Sequence, residues 1–255
     1  MLPFLGWPER QMLNTAKGIL MDWDGCVAVN NRVLSSARRL IARHADRVAI
    51  ISNNSTHLPG DFAEILANDG LEIPQERIFM AGVEAIRDVA ASGLDRVMML
   101  STPKMRRYAL DQGLPLVREE PHTILLMRDA RFTYAKLERA VNALRDGARL
   151  IVANADRTHP GAGNRLIPET GALLAALLAC VDDAKAGMRV IGKPGPILFK
   201  RACDHLAIHP SEAVMIGDNP DTDGAGALNY GIRPIIIGGD ASLRLEHLIE
   251  AEDVL

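Results

Sequence analysis

Positive charge is in short supply. The chain of 255 residues sets 29 Lys and Arg against 32 Asp and Glu, a formal net charge of −3. That balance builds no basic field for a nucleic-acid backbone or an anionic membrane surface, and neither partner is expected. Aromatic residues make up only 4%, too few for a platform that stacks bases. Cysteine is limited to Cys26, Cys180 and Cys203, an odd and widely spaced set without a CxxC pair. This argues against a disulfide framework and a thiolate zinc site, and suits the reduced thiols of a cytoplasm. The most apolar helix-like run covers 171–181, far short of the roughly 20 residues that span a bilayer. The first residues lack the charged start and sustained apolar stretch of a secretion signal.

What is present is 48% apolar and 24% charged, the composition of a globular protein with a substantial core. The length suits one large domain or two modest ones. Short apolar runs alternate with helical patterns. Strands are predicted over 18–21, 47–51, 96–100, 123–127, 149–152, 189–191, 213–216 and 232–237. Helices are predicted over 35–44, 58–69, 83–91, 103–110, 134–144, 169–181, 196–206 and 242–250. This alternation predicts an α/β fold with a mainly parallel sheet. Polar, turn-rich breaks at 72–75 and 182–187 are too weak to set a domain boundary by themselves.

Four loops carry candidate chemistry, each directly after a predicted strand of what reads as one sheet. The first is Asp22-Trp23-Asp24-Gly25. Alternation along an extended chain sends Asp22 and Asp24 one way and Trp23 the other. Two carboxylates then meet at the carboxyl end of a strand, where open α/β sheets bind ligands; the other reading is a polar turn. The second is Ser52-Asn53-Asn54-Ser55-Thr56, whose hydroxyls, amides and backbone N–H groups suit phosphate oxygens, or simply cap the next helix. The third is Gly192-Lys193-Pro194-Gly195-Pro196. Its lysine can neutralise phosphate charge, or stand exposed in a turn. The fourth is Gly217-Asp218-Asn219-Pro220-Asp221-Thr222-Asp223. Its hard oxygen ligands suit Mg2+, and its acids equally suit a helix-capping turn.

Taken together and in this order, DWDG, SNNST, GKP and GDNPDTD resemble the four motifs of the haloacid dehalogenase superfamily. The motifs bracket 18–223. About 140 residues separate Thr56 from Lys193, too many for one crossover. In the family such an insertion is a cap of the C2 type. Within it Asn154-Ala155-Asp156, His159-Pro160-Gly161, Gly163 and Glu169-Thr170-Gly171-Ala172-Leu173 resemble the NagD-like branch, subfamily IIA.

The resemblance implies a Rossmann-like, doubly wound parallel sheet with an inserted α/β C2 cap. The core would be residues 1–76 and 189–255, and the cap 77–188. It implies a Mg2+-dependent phosphomonoesterase acting on a sugar phosphate, glycerol phosphate, phosphoglycolate, a nucleotide or pyridoxal phosphate. Asp22 would be the nucleophile that forms an aspartyl-phosphate. Asp24 would be the general acid and base, its proton held by a raised pKa in the substrate complex. Lys193 would bridge to Asp22. Mg2+ would be held by Asp22, the Asp24 carbonyl and Asp218, with Asp223 acting directly or through the metal's water shell and Asn219 assisting. Ser52, Asn53 and Asn54 would hold phosphate oxygens.

From the cap, which would cover the site and exclude water, Asn154, Asp156, His159 and Arg165 are candidates to meet the leaving group. Members with C2 caps often pair through them, so a homodimer is compatible. The family usually has Leu, Ile or Met at Trp23 and Thr or Val at Cys26; neither change removes a catalytic group. The rival readings are a dehalogenase, which the second acid and the metal-binding acids disfavour, a mutase, and a silent metabolite-binding protein.

Overall fold

The structure is a computed structural model that describes residues 7–93, 96–161, 165–181, 187–238 and 243–249. The fold is α/β. The strands of its two main sheets are, in chain order, β1 (Gly18–Met21), β2 (Val48–Ser52), β3 (Ile78–Met80), β4 (Val97–Leu100), β5 (Thr123–Leu126), β6 (Arg149–Val152), β7 (Arg189–Val190), β8 (Ala213–Gly217) and β9 (Arg233–Ile236). The chain divides into two compact units. One comprises 1–52, 59–79 and 193–255, the other 53–58 and 80–192.

The first unit is built on a five-stranded sheet of order β9-β8-β1-β2-β3. β1 runs parallel to both β8 and β2, and β8 parallel to β9. β1, β2 and β8 are buried along their whole length, which is why they read as continuous apolar runs rather than alternating ones. The helix Ser35–His44 buries Ala37, Leu40, Ile41 and His44, the spacing of one helical face. Trp23 lies flat on Phe62 of the helix Pro59–Asn68, with ring centroids 3.9 Å apart and planes 16° from parallel. Both rings are fully buried, so the turn after β1 is pinned to a helix by large apolar area.

The second unit holds a four-stranded parallel sheet of order β7-β6-β5-β4. Alternate residues Met98, Leu100, Ile124, Leu126, Leu150 and Val152 form a core with Ala140 and Leu144 of the helix Tyr134–Arg145 and Leu174 and Leu177 of Thr170–Leu178. Thr102 and Thr133 cap helices by accepting from the N–H groups of Met105 and Lys136, as hydroxyl side chains do at helix starts.

Some expectations change. The sequence places the 189–191 strand in the same sheet as the other three motif-bearing strands. Instead β7 pairs in parallel with Ile151 and Val152 of β6, and Arg189 binds Asp88 at 2.8 Å. Residues 189–192 therefore cluster with the second unit. Residues 53–58 do so too, because the Asn54 carbonyl accepts from Gly82 N at 3.1 Å. The predicted helix over 242–250 is a 3-10 turn, Leu245–Leu248; Ser242 and Glu250 lie outside the described residues. Unforeseen elements are the helix Trp7–Thr15, β3, and the antiparallel pairs Ala28–Val29 with Arg32–Val33 and Thr158–Gly161 with Arg165–Pro168. Among the described residues no helix is long and apolar enough to cross a membrane.

Because Phe62 fills a fully buried site against Trp23, Phe62→Ala is expected to cost about 3–5 kcal/mol of stability in urea unfolding. A loss below about 1 kcal/mol would show that the stack is not part of the packed core.

Candidate active site

Three of the four motifs meet at the carboxyl edge of the first unit's sheet. Asp22 follows β1, Ser52 ends β2, and Asp218 follows β8. Lys193 reaches the same place from the segment leading into the helix Ile197–Leu206. Its Nζ donates to Asp22 Oδ1, to the Ile51 carbonyl at 3.2 Å, and pairs with Asp223 Oδ1 at 2.7 Å. Lys193, Asp223 and Ser52 are buried, at 2%, 1% and 1% exposure. Asp24 stands at the exposed side of the turn.

Two glycines make this packing feasible. Gly25 has φ +83°, and a Cβ there would lie 2.2 Å from Asp218 Oδ2. A Cβ on Gly217 would lie 2.2 Å from Asp223 Oδ2. Both distances are inside van der Waals contact, so each glycine makes room for a carboxylate as well as turning the chain. Asn219 serves as a cap, its Oδ1 accepting from Asp221 N and Thr222 N at 2.9 and 3.3 Å. Asp223 Oδ2 accepts from Asn219 N at 3.2 Å. The fourth motif thus performs its capping role and still turns Asp223 inward.

Carboxylate oxygens of Asp22, Asp218 and Asp223 lie within 4.8 Å of one another. One ammonium cannot neutralise three carboxylates, and like charges this close repel. Burial pushes Asp22 up well above the carboxylate range, reinforced by Asp223 and Asp24 and opposed by Lys193. Asp218 is pushed up to about 6 by burial first and by Asp223 second. Burial would lower Lys193, but Asp22 and Asp223 outweigh it and hold the ammonium charged. An all-oxygen set with excess negative charge fits a hard divalent cation such as Mg2+. Cys26 is buried, its Sγ donates to the Ile216 carbonyl, and burial foremost raises its pKa. It is an inert thiol beside the acids.

In the second unit, Asn53, Asn154 and Asp156 come together. Asn154 Nδ2 donates to the Asn53 carbonyl at 2.8 Å and to Thr170 Oγ1 at 3.2 Å. Asn53 Nδ2 donates to Asp156 Oδ2 at 3.0 Å, and Asp156 N to Asn154 Oδ1 at 3.2 Å. Asn54 Oδ1 accepts from the N–H groups of Thr56 and His57. Gly171 closes the cluster, since a Cβ there would sit 2.3 Å from the Ala155 carbonyl. His159 Nδ1 lies 2.7 Å from Glu169 Oε1, and Arg128 Nε lies 3.4 Å from the same oxygen. Arg165 is exposed, and Gly163 lies outside the described residues. Of the residues that join this cluster, Ser55 and Thr170 stand within motifs read from the sequence, whereas Arg128, whose N–H donates to Ser55 Oγ at 3.1 Å, does not. The available signal for Arg128 was a charged residue one place beyond a buried strand run.

The comparisons come to the same fold and chemistry. The family model described as haloacid dehalogenase-like hydrolase matches residues 16–231. The dihydroxyacetone phosphatase of Corynebacterium glutamicum is 28% identical over 88% of this chain and 83% of its own. A glycerol phosphate phosphatase of Mycobacterium tuberculosis, solved with magnesium, superposes with a TM-score of 0.78 at 25% identity, over 89% of this chain and 69% of its own. NagD of E. coli shares the fold, with a TM-score of 0.77 at 19% identity over 88% of each chain.

Burial raises Glu169, against the pull of Arg128 and His159. The folded chain therefore binds this proton more tightly than the unfolded chain. Its stability contribution is fully present below the unfolded pKa of about 4.3 and is lost as pH rises through the raised folded value. Wild-type stability, measured by urea unfolding from acid to neutral pH, is expected to fall relative to Glu169→Gln across that window. A constant difference between the two would contradict this.

Proposed function

The chain belongs to the haloacid dehalogenase-like hydrolase family, and from that premise we propose that it is a Mg2+-dependent phosphomonoesterase of the NagD-like branch. The observation that carries the reading is the buried Lys193 ammonium between Asp22 and Asp223, with Asp218 completing a three-carboxylate set. The substrate is a small phosphorylated metabolite: a sugar phosphate, glycerol phosphate, phosphoglycolate, a nucleotide or pyridoxal phosphate. The dihydroxyacetone phosphatase relative and the glycerol phosphate phosphatase neighbour support compounds of this size.

In this mechanism the Asp22 carboxylate attacks phosphorus and forms an O–P bond as the ester P–O bond breaks. Asp24, at the exposed side of the turn, gives its proton to the leaving oxygen. It then takes a proton from the water that attacks the aspartyl-phosphate, which frees phosphate and regenerates Asp22. Lys193 orients Asp22 and neutralises charge on the transferring group. Ser52 and the Asn53 N–H hold phosphate oxygens, with Asn54, Asn154 and Asp156 supporting that loop. Asp22, the Asp24 carbonyl, Asp218 and Asp223 would hold Mg2+. Once bound, the ion offsets the repulsion between carboxylate and phosphate and stabilises the transferring group.

We assign residues 1–76 and 189–255 the catalytic role, less the stretches that cluster with the second unit, and 77–188 the role of a C2 cap that selects substrate. A homodimer through that cap and a cytoplasmic location extend the reading. The free thiols of Cys26, Cys180 and Cys203 support the latter.

The test is hydrolysis of p-nitrophenyl phosphate. EDTA is expected to abolish turnover and added Mg2+ to restore it. Asp24→Asn is expected to lower kcat by about 10²–10⁴-fold, and Asp22→Asn to leave no metal-dependent release. Metal-dependent turnover that survives in Asp22→Asn would rule out the proposed nucleophile. A panel of phosphorylated metabolites ranked by kcat/KM then identifies the substrate class.

A further inference from the structure

The second unit carries a cleft that the proposed chemistry does not use. It has a volume of about 290 Å³ and is lined by Met99 and Val117 together with four cationic side chains, Arg106, Arg118, Lys136 and Arg139. No acidic residue lines it among the described residues.

Two of the four cations are anchored. Arg106 Nη1 donates to the Met99 carbonyl at 3.0 Å. Lys136 Nζ pairs with Asp129 Oδ2 at 2.6 Å and donates to the Arg131 carbonyl at 2.9 Å. The other two are weakly compensated. Arg139 has Glu119 as its carboxylate, at 4.0 Å, and that side chain is 73% exposed. Arg118 has no carboxylate partner among the described residues. With Lys136 compensated by Asp129, the guanidinium groups of Arg106, Arg118 and Arg139 leave an excess of positive charge around the cleft, and a bound anion relieves their repulsion. Guanidinium groups offer paired donors that match phosphate and carboxylate oxygens.

The positive field is confined. A neighbouring cleft of about 520 Å³ shares Met98 and Arg139 but sets Glu119, Glu120, Glu138 and Asp146 against Arg96 and His122, an acidic balance overall. An anion is therefore drawn to one cleft and repelled by the other. The apolar lining and a volume near the lower end of ligand pockets, about 300–1,000 Å³, fit a phosphate group attached to a compact organic body.

We propose that this cleft is a second binding site, for a small phosphorylated metabolite. Its anion is held by Arg118 and Arg139, with Arg106 and Lys136 fixing the geometry.

Isothermal titration of the full-length protein in EDTA, with inorganic phosphate and separately with adenosine monophosphate, tests the assignment. A binding event is expected that survives Lys193→Ala and weakens by about tenfold or more in Arg118→Glu and in Arg118→Gln. Turnover of p-nitrophenyl phosphate by both Arg118 variants, without added anion, should stay within about twofold of wild type. Circular dichroism checks that they are folded, and the milder Arg118→Gln decides the matter if Arg118→Glu is not. Equal affinities for the two probes identify a phosphate-only subsite, and tighter adenosine monophosphate binding adds contacts from the organic body; either supports the proposal. Absence of binding up to about 10 mM overturns it. So does binding lost in Lys193→Ala but kept in the Arg118 variants. A change in oligomeric state with unchanged anion affinity would likewise overturn it and assign the cleft to a contact between copies of the chain.

Discussion

One buried ammonium holds the first unit's working edge together. Lys193 bonds Asp22, directly after β1, Asp223, in the turn beyond β8, and the Ile51 carbonyl within β2. These three strands are neighbours in the sheet, although β8 comes far later in the chain than β1 and β2. Burying any one of the charges alone would be costly, and only the close mutual arrangement offsets the desolvation. The same arithmetic explains why the three-carboxylate set fits a cation. One positive charge against three carboxylates leaves an excess of negative charge inside the protein, and a divalent ion is the simplest group that removes it.

The positions of the acids were legible because each follows a continuous apolar run, and such runs mark buried parallel strands. Asp22 and Asp218 could be placed at strand ends on that basis. The membership of β7 was not legible. A three-residue run such as RVI, with two apolar residues, shows that a strand exists but carries no information about which sheet receives it. β3 was missed because its three residues run directly into the helix Ala81–Ala91 with no turn residue between them. The pair formed by Thr158–Gly161 and Arg165–Pro168 was hidden by prolines at Pro160 and Pro168, which are uncommon in strands except at edges. The reason for glycine at Gly25 and Gly217 was only half legible. A glycine directly after two acids is legible as a turn, whereas the carboxylate lodged where each Cβ would be is visible only in three dimensions.

The Asn53–Asn154–Asp156 cluster shows how capping and site-building overlap. Asn154 is almost fully buried, and its amide links a loop near residue 53 to the start of the helix Thr170–Leu178. Polar residues in a pattern that suggests ligand contact can thus be satisfied within the protein. Their structural work sets the shape of the loop that begins immediately after Ser52.

The discontinuity of the two units has a consequence for biosynthesis. The chain passes between them at 52/53, 58/59, 79/80 and 192/193. β1 emerges from the ribosome early, yet one of its two neighbours, β8, lies almost two hundred residues later. Until that strand is translated, one edge of a wholly apolar strand stays unpaired. The second unit's sheet is complete once residue 190 has appeared, so it can assemble first while the nascent amino-terminal segment waits, a period in which shielding by a chaperone would matter most.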